Sequence, residues 1–184
     1  IRAERVRLIA DQGSVSLRGV LDASGKQAGS AEIWAGGDLI LSRGSQVLAK
    51  GLDGGAAGGE VILGSGGGRL TFEEGAAIDV SGKAPEQGGR VLFVAGRDGT
   101  NVRMDLAGTV SGASKVQGFA VRVYEYAGDL NISGAEIQSW SDDARSFMDH
   151  LLWEPALGGV LPGLFSLAAG IEVRGLGNMI LDAP

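Results

Sequence analysis

The sequence holds one histidine, His150. It stands among residue types that nucleophilic catalysis uses, with Asp149 beside it and Ser146 and Asp143 within two helical turns. Residues four apart are neighbours on a helix, so Ser146 and His150 are placed to share a face. A Ser/His/Asp triad also needs an exposed nucleophile and oxyanion donors. No glycine elbow accompanies Ser146, so the segment reads as solvated helix surface. With no cysteine and a single histidine, a zinc site lacks ligands and disulfides are excluded.

Other candidates reduce to turns and strands. Leu52-Asp53-Gly54-Gly55-Ala56-Ala57-Gly58-Gly59-Glu60 faintly resembles the glycine-aspartate nonapeptides that hold calcium, but it lacks their tandem aspartates. Gly36-Gly37-Asp38 and Gly96-Arg97-Asp98-Gly99 have no strand-to-helix context for phosphate binding and read as turns. Asp22 and Asp79 occupy equivalent places in a repeat, but Leu48 and Thr109 stand at those places in the intervening and following copies. Two copies apart means about 10 Å, beyond the roughly 5–9.5 Å separating paired glycosidase carboxylates. No cofactor, metal or catalytic residue is expected.

The aromatics are more informative. Trp34 alternates with inward Ile33 and Ala35 and should point outward, and Tyr124 and Tyr126, which follow Val123, are the other expected exposed aromatics. Trp34, Tyr124 and Tyr126 are therefore the candidate surface-contact residues. Packing beneath a covering element is the favoured use of Trp34, and stacking on a sugar the alternative.

The elements that position these residues follow from glycine and periodicity. Glycine supplies 33 of 184 residues, against a usual share of about 7%. Hydrophobic residues make up 44% and aromatics 5%, so a core must be built from Val, Leu, Ile and Ala. The net charge of −6 argues against nucleic-acid binding, which needs a basic patch. No apolar run is long enough to span a membrane.

Three short patterns recur in order. The first is an alternating pair, as in Val15-Ser16-Leu17, Leu39-Ile40-Leu41, Leu70-Thr71-Phe72, Val102-Arg103-Met104 and Leu130-Asn131-Ile132. The second ends at glycine, as in Leu21-Asp22-Ala23-Ser24-Gly25 and Ile78-Asp79-Val80-Ser81-Gly82. The third follows a glycine-rich turn, as in Ile33-Trp34-Ala35-Gly36 and Val91-Leu92-Phe93-Val94-Ala95-Gly96. A period near 30 residues with three strands in each predicts an all-β fold: a right-handed parallel β-helix, or β-solenoid, with three-sided coils. The whole of 1–184 reads as one β-helix segment of a longer protein, starting partway through a coil. Ile171-Glu172-Val173-Arg174-Gly175 resembles the second pattern, and Gly177-Asn178-Met179-Ile180-Leu181 the first. Both ends lack a polar cap, which predicts cover by neighbouring coils or like chains.

One stretch departs from the repeat. Ala144, Phe147, Met148, Leu151 and Leu152 fall on one helical face, predicting a helix over 141–154 within an excursion over 141–165. Ser141 or Asp142 would cap its start, and Pro155 and Gly158 mark its end.

The repeats resemble the filamentous haemagglutinin family of large exported proteins, on Leu21-Asp22-Ala23-Ser24-Gly25 and Ile78-Asp79-Val80-Ser81-Gly82 with their following turns and strands. Leu161-Pro162-Gly163 and Gly170-Ile171-Glu172-Val173-Arg174-Gly175 are similar to a segment entering later coils in some members. The resemblance implies two-partner secretion through an outer-membrane transporter, a secreted or outer-surface location, and a non-catalytic role as the rod of an adhesin or filament, binding a surface glycan or protein receptor. A toxin-delivery stalk, a β-helical polysaccharide-degrading enzyme and a carbohydrate-binding module are the alternatives.

Overall fold

Alternation governs the strands of the computed structural model, which describes residues 1–152 and 163–182. In Ser30–Ala35, Ala31, Ile33 and Ala35 are buried while Glu32 and Trp34 between them are only partly covered. Leu39–Leu41 and Leu70–Phe72 repeat the pattern in three residues each. So short a strand buries no face by itself, and its inward side chains need strands stacked on both sides.

The stacking is parallel and in register. A long sheet runs in the order Arg5–Ala10, Ser30–Ala35, Glu60–Ser65, Gly89–Asp98, Ala113–Tyr126 and Phe165–Gly175. A second joins Val15–Leu17, Leu39–Leu41, Leu70–Phe72 and Met104–Leu106, and a third joins Val20–Asp22, Gln46–Leu48, Ala77–Asp79 and Thr109–Ser111. Ser30 faces Glu60 and Glu60 faces Arg90, partners one period apart. The inward residues form columns: Leu21, Val47, Ile78 and Val110 in one, Leu41, Phe72 and Leu106 in another. All are buried in one hydrophobic cluster, where the rings of Phe72 and Phe93 lie 6.0 Å apart.

The recurrent turns have physical causes. Asp38 and Asp129, from the Gly-Asp pairs, accept the amide protons of Arg69 and Asn178 in the next copy at 2.8 Å. Asp22 and Asp79 accept those of Ser24 and Ser81 at 3.0 Å, closing the same local turn in each copy. At one corner the backbones nearly touch: a Cβ on Gly59 would come within 2.1 Å of the Gly29 carbonyl oxygen.

The structure moves several of the expected boundaries. The second-sheet partner of Leu70 is Met104, two residues later than expected from Val102. Val102 instead pairs antiparallel with Arg97 in a hairpin that turns at Gly99, whose φ is +60°. Ser111, not Thr109, therefore lies beside Asp79, while Leu48 does separate Asp79 from Asp22. Ile171 to Gly175 continue the long sheet, because the 14-residue strand Ala113–Tyr126 offers Phe165–Gly175 partners from Val116 through Tyr126. Leu130 pairs with Met179, the register expected from the first pattern, but in a separate two-stranded sheet.

The helix spans Gly134–Asp149, beginning seven residues before the expected Ser141 and ending before Leu151 and Leu152, both expected on its apolar face; Leu152 is exposed. Ser133 caps it, with its hydroxyl accepting from the Glu136 amide and the Glu136 carboxylate returning to the Ser133 amide. This reciprocal box satisfies two otherwise orphaned donors, whereas Ser141 spends its hydroxyl on the Ile137 carbonyl within the helix. The expected end markers Pro155 and Gly158, and Leu161 and Pro162 of the resemblance, lie outside the described residues.

Replacing Gly59 with Ala should destabilise the protein by about 2 kcal/mol or more, since the backbones must part. Gly54→Ala, with open space around its Cβ, should change stability by less than about 1 kcal/mol. Urea unfolding of both variants checks the difference. Val91→Asp should yield no soluble folded protein, because Val91 is fully enclosed between Val61 and Val116.

Candidate functional site

Side chains able to do chemistry converge where the helix lies against the long sheet. Arg122 and Tyr124 are two apart on strand Ala113–Tyr126, so both project from the same face. Arg97 comes from the end of strand Gly89–Asp98, beside the hairpin at Gly99 and Thr100. On the helix, Trp140, Asp143 and Phe147 at i, i+3 and i+7 share one face and are carried down onto these groups. Trp140 and Phe147 are buried, and the Trp140 ring packs 5.3 Å from that of Tyr124.

Asp143 organises the junction. Its Oδ2 accepts from Arg97 Nη2 at 2.8 Å and from the Tyr124 hydroxyl at 3.0 Å, and its Oδ1 accepts from Arg122 Nη1. The side chain of Arg97 is only 5% exposed. Its guanidinium lies 4.7 Å from the centre of the Phe147 ring, a cation–π contact. Arg97 Nε is buried without an acceptor among the described residues. Burial raises the Asp143 carboxyl, but the Tyr124 hydroxyl and the Arg97 and Arg122 charges outweigh it and hold it below its ordinary value. Burial, and then the Asp143 hydrogen bond, push the Tyr124 hydroxyl up.

Beside this cluster opens a cleft of about 440 Å³, lined by Arg97, Arg122 and Asp143, by Gly99 and Thr100, and by Ser146, Phe147 and His150 of the helix. Ser146, Asp143 and His150 thus do meet around one space. They do not form a triad. His150 Nδ1 lies 2.8 Å from the Ser146 main-chain carbonyl, which only accepts, so Nδ1 carries the proton and the serine hydroxyl is not its partner. Asp143, engaged by three donors, does not orient the imidazole. The arrangement is fitted to hold charge rather than to activate a nucleophile.

The three aromatics singled out by sequence are not one site. Trp34 points outward as expected, but its indole lies flat over Gly64, where a Cβ would come within 2.1 Å, and its Nε1 donates to Glu32 at 2.8 Å. The neighbouring strand's glycine, not the helix, receives the ring. Tyr124 is the aromatic that meets the helix. Tyr126 borders a separate groove with Glu125, Arg174 and Leu176. Sequence reasoning missed Arg97 and Arg122, reading Arg97 as part of a turn. The available signal was Asp143 between two aromatics on one helical face, where a carboxylate must meet a cation or stay unpaired.

No family model, curated protein or solved structure matches this chain. Among the described residues no helix is long and apolar enough to cross a membrane.

Asp143→Ala should cost about 2–4 kcal/mol, since it strands the buried Arg97 charge. Near-ultraviolet circular dichroism should lose the Tyr124–Trp140 signal while the β signal in the far ultraviolet remains. Because the folded Asp143 lies below its unfolded value, its stabilisation is complete at neutral pH. It is lost as pH falls below about 4 and through the lower folded value. Asp143→Asn should remove that acid step from the same spectrum.

Proposed function

We propose that this chain is a segment of a right-handed, three-sided parallel β-helix that serves as a stiff rod in an exported surface protein. The observation carrying the reading is the common register of the three parallel ladders, in which each strand finds its partner one period along the chain, in the same order. Parallel strands joined by crossovers within one sheet are right-handed in about 98% of cases. Each coil adds about 4.8 Å, and the continuous columns resist bending. Function of this kind is geometric: the rod sets the distance between what it carries and the surface that holds it.

The resemblance to the filamentous haemagglutinin family supplies the biological setting of the proposal. It implies export by an outer-membrane transporter, display on the outer surface of a bacterial cell, and adhesion or filament formation through a glycan or protein receptor. Leu176, Ile180 and Leu181 are exposed beside Phe165–Gly175 and Met179–Asp182, the last strands of their sheets among the described residues, and suit cover by further coils or by like chains.

Two experiments test the reading. Deleting residues 60–89 removes one period and joins Gly59 to Arg90, which should leave a folded β protein with a maximum dimension about 5 Å shorter in X-ray scattering. Unfolding by this in-register deletion would overturn the coil. Antibody to the segment should label intact source cells, and labelling only after permeabilisation would sink the surface role.

A further inference from the structure

The cleft between the helix and the long sheet carries more positive charge than its own residues neutralise. Arg97 and Arg122 bring two guanidiniums, and Asp143 is the one carboxylate lining the cleft with them. Both Asp143 oxygens are already occupied by Arg97, Arg122 and Tyr124. Of the acids near it, Asp142 is turned to Arg145 at 2.9 Å and Asp98 to Arg103 at 3.9 Å, and Asp149, next to His150, does not line the cleft. A surplus of one positive charge thus stands in a chain whose net charge is −6.

We propose that this cleft binds a singly charged, hydroxyl-bearing carboxylate of about hexuronic-acid size. The charge of the ligand follows from the surplus, which one carboxylate cancels and a dianion overshoots. The planar group follows from the donors, because guanidinium forks match a carboxylate. Arg97 is paired with Asp143 through Nη2 at 2.8 Å and through Nη1 to the Asp143 carbonyl at 3.5 Å, and is backed by Phe147, so the uncompensated charge falls on Arg122. Arg122 is half exposed and supplies the accessible fork. The space, about 440 Å³, admits a ligand of this size and lies within the range of small-molecule sites. The hydroxyls follow from the remaining wall. Thr100 and Ser146 carry hydroxyl groups there, and His150 lines the same wall beside them.

This site goes beyond the rod reading and stands without it. The test is titration of the full chain with D-glucuronate, followed by amide chemical shifts and calorimetry, with D-glucose as the neutral control. Saturable one-to-one binding of glucuronate is expected, with shifts at Thr100, Ser146 and His150 and none with glucose. Arg122→Gln should weaken it about tenfold or more, as loss of a charge-assisted contact implies. Asp143 keeps Arg97 and Tyr124 in that variant. Thr100→Val, which leaves every charge in place, should weaken binding a few-fold. The 1-O-methyl glycoside binding as well as the free acid would assign the site to a unit of a saccharide chain, and its exclusion to a free acid. No binding of glucuronate, equal binding of glucose, or unchanged affinity in both variants would overturn the proposal.

Discussion

The hydrogen bonds from each strand to the strand one period later are the constraint on which this molecule rests. Strands such as Leu39–Leu41 are three residues long and hold no face of their own. Stacked in register, they place leucine over leucine and valine over isoleucine, and the inward columns become a continuous core. A slip of one residue would turn every inward side chain outward, so burial itself enforces the register. The corner glycines serve the same constraint. Gly29 and Gly59 let backbones approach closely enough for the ladders on either side to keep their spacing.

The helix shows how far that constraint tolerates interruption. Val116 pairs with Phe165 and Leu130 with Met179, and both pairs span the same 49 residues. The period has lengthened, yet the register before and after is the same. After Ser133 the chain enters the helix instead of another short strand, and Phe147 joins the hydrophobic cluster that the columns form. The excursion thus supplies apolar cover and leaves the ladder unbroken on its long side.

Much of this was legible because it is local. Alternation, glycine-ended turns and the near-30 spacing are read directly from short windows, and the ladders follow their order. Where the reading failed, a non-local partner decided. Val102 looks like a ladder residue until Arg97 is seen to pair with it across Gly99. Ile171 to Gly175 look like a glycine-ended strand until the length of Ala113–Tyr126 is known. The helix start was legible in Ser133 and Glu136, a capping box that the periodicity of the later apolar residues obscured. The cleft was illegible for a plainer reason: Arg97, Arg122 and Asp143 come from three elements, and no window contains them together.

The junction also explains why a carboxylate sits on the apolar face of the helix. Trp140 and Phe147 alone would hold the helix by burial, and burial is indifferent to direction. A slide by one turn would still cover apolar surface. Asp143 is less forgiving, because it must meet Arg97, Arg122 and the Tyr124 hydroxyl at once. A buried ion pair adds little net stability over apolar packing, but any misplacement leaves Arg97 charged and unpaired at a cost of several kcal/mol. The carboxylate therefore selects one docking position. It does so with one negative charge against two positive ones, and the cleft inherits the difference.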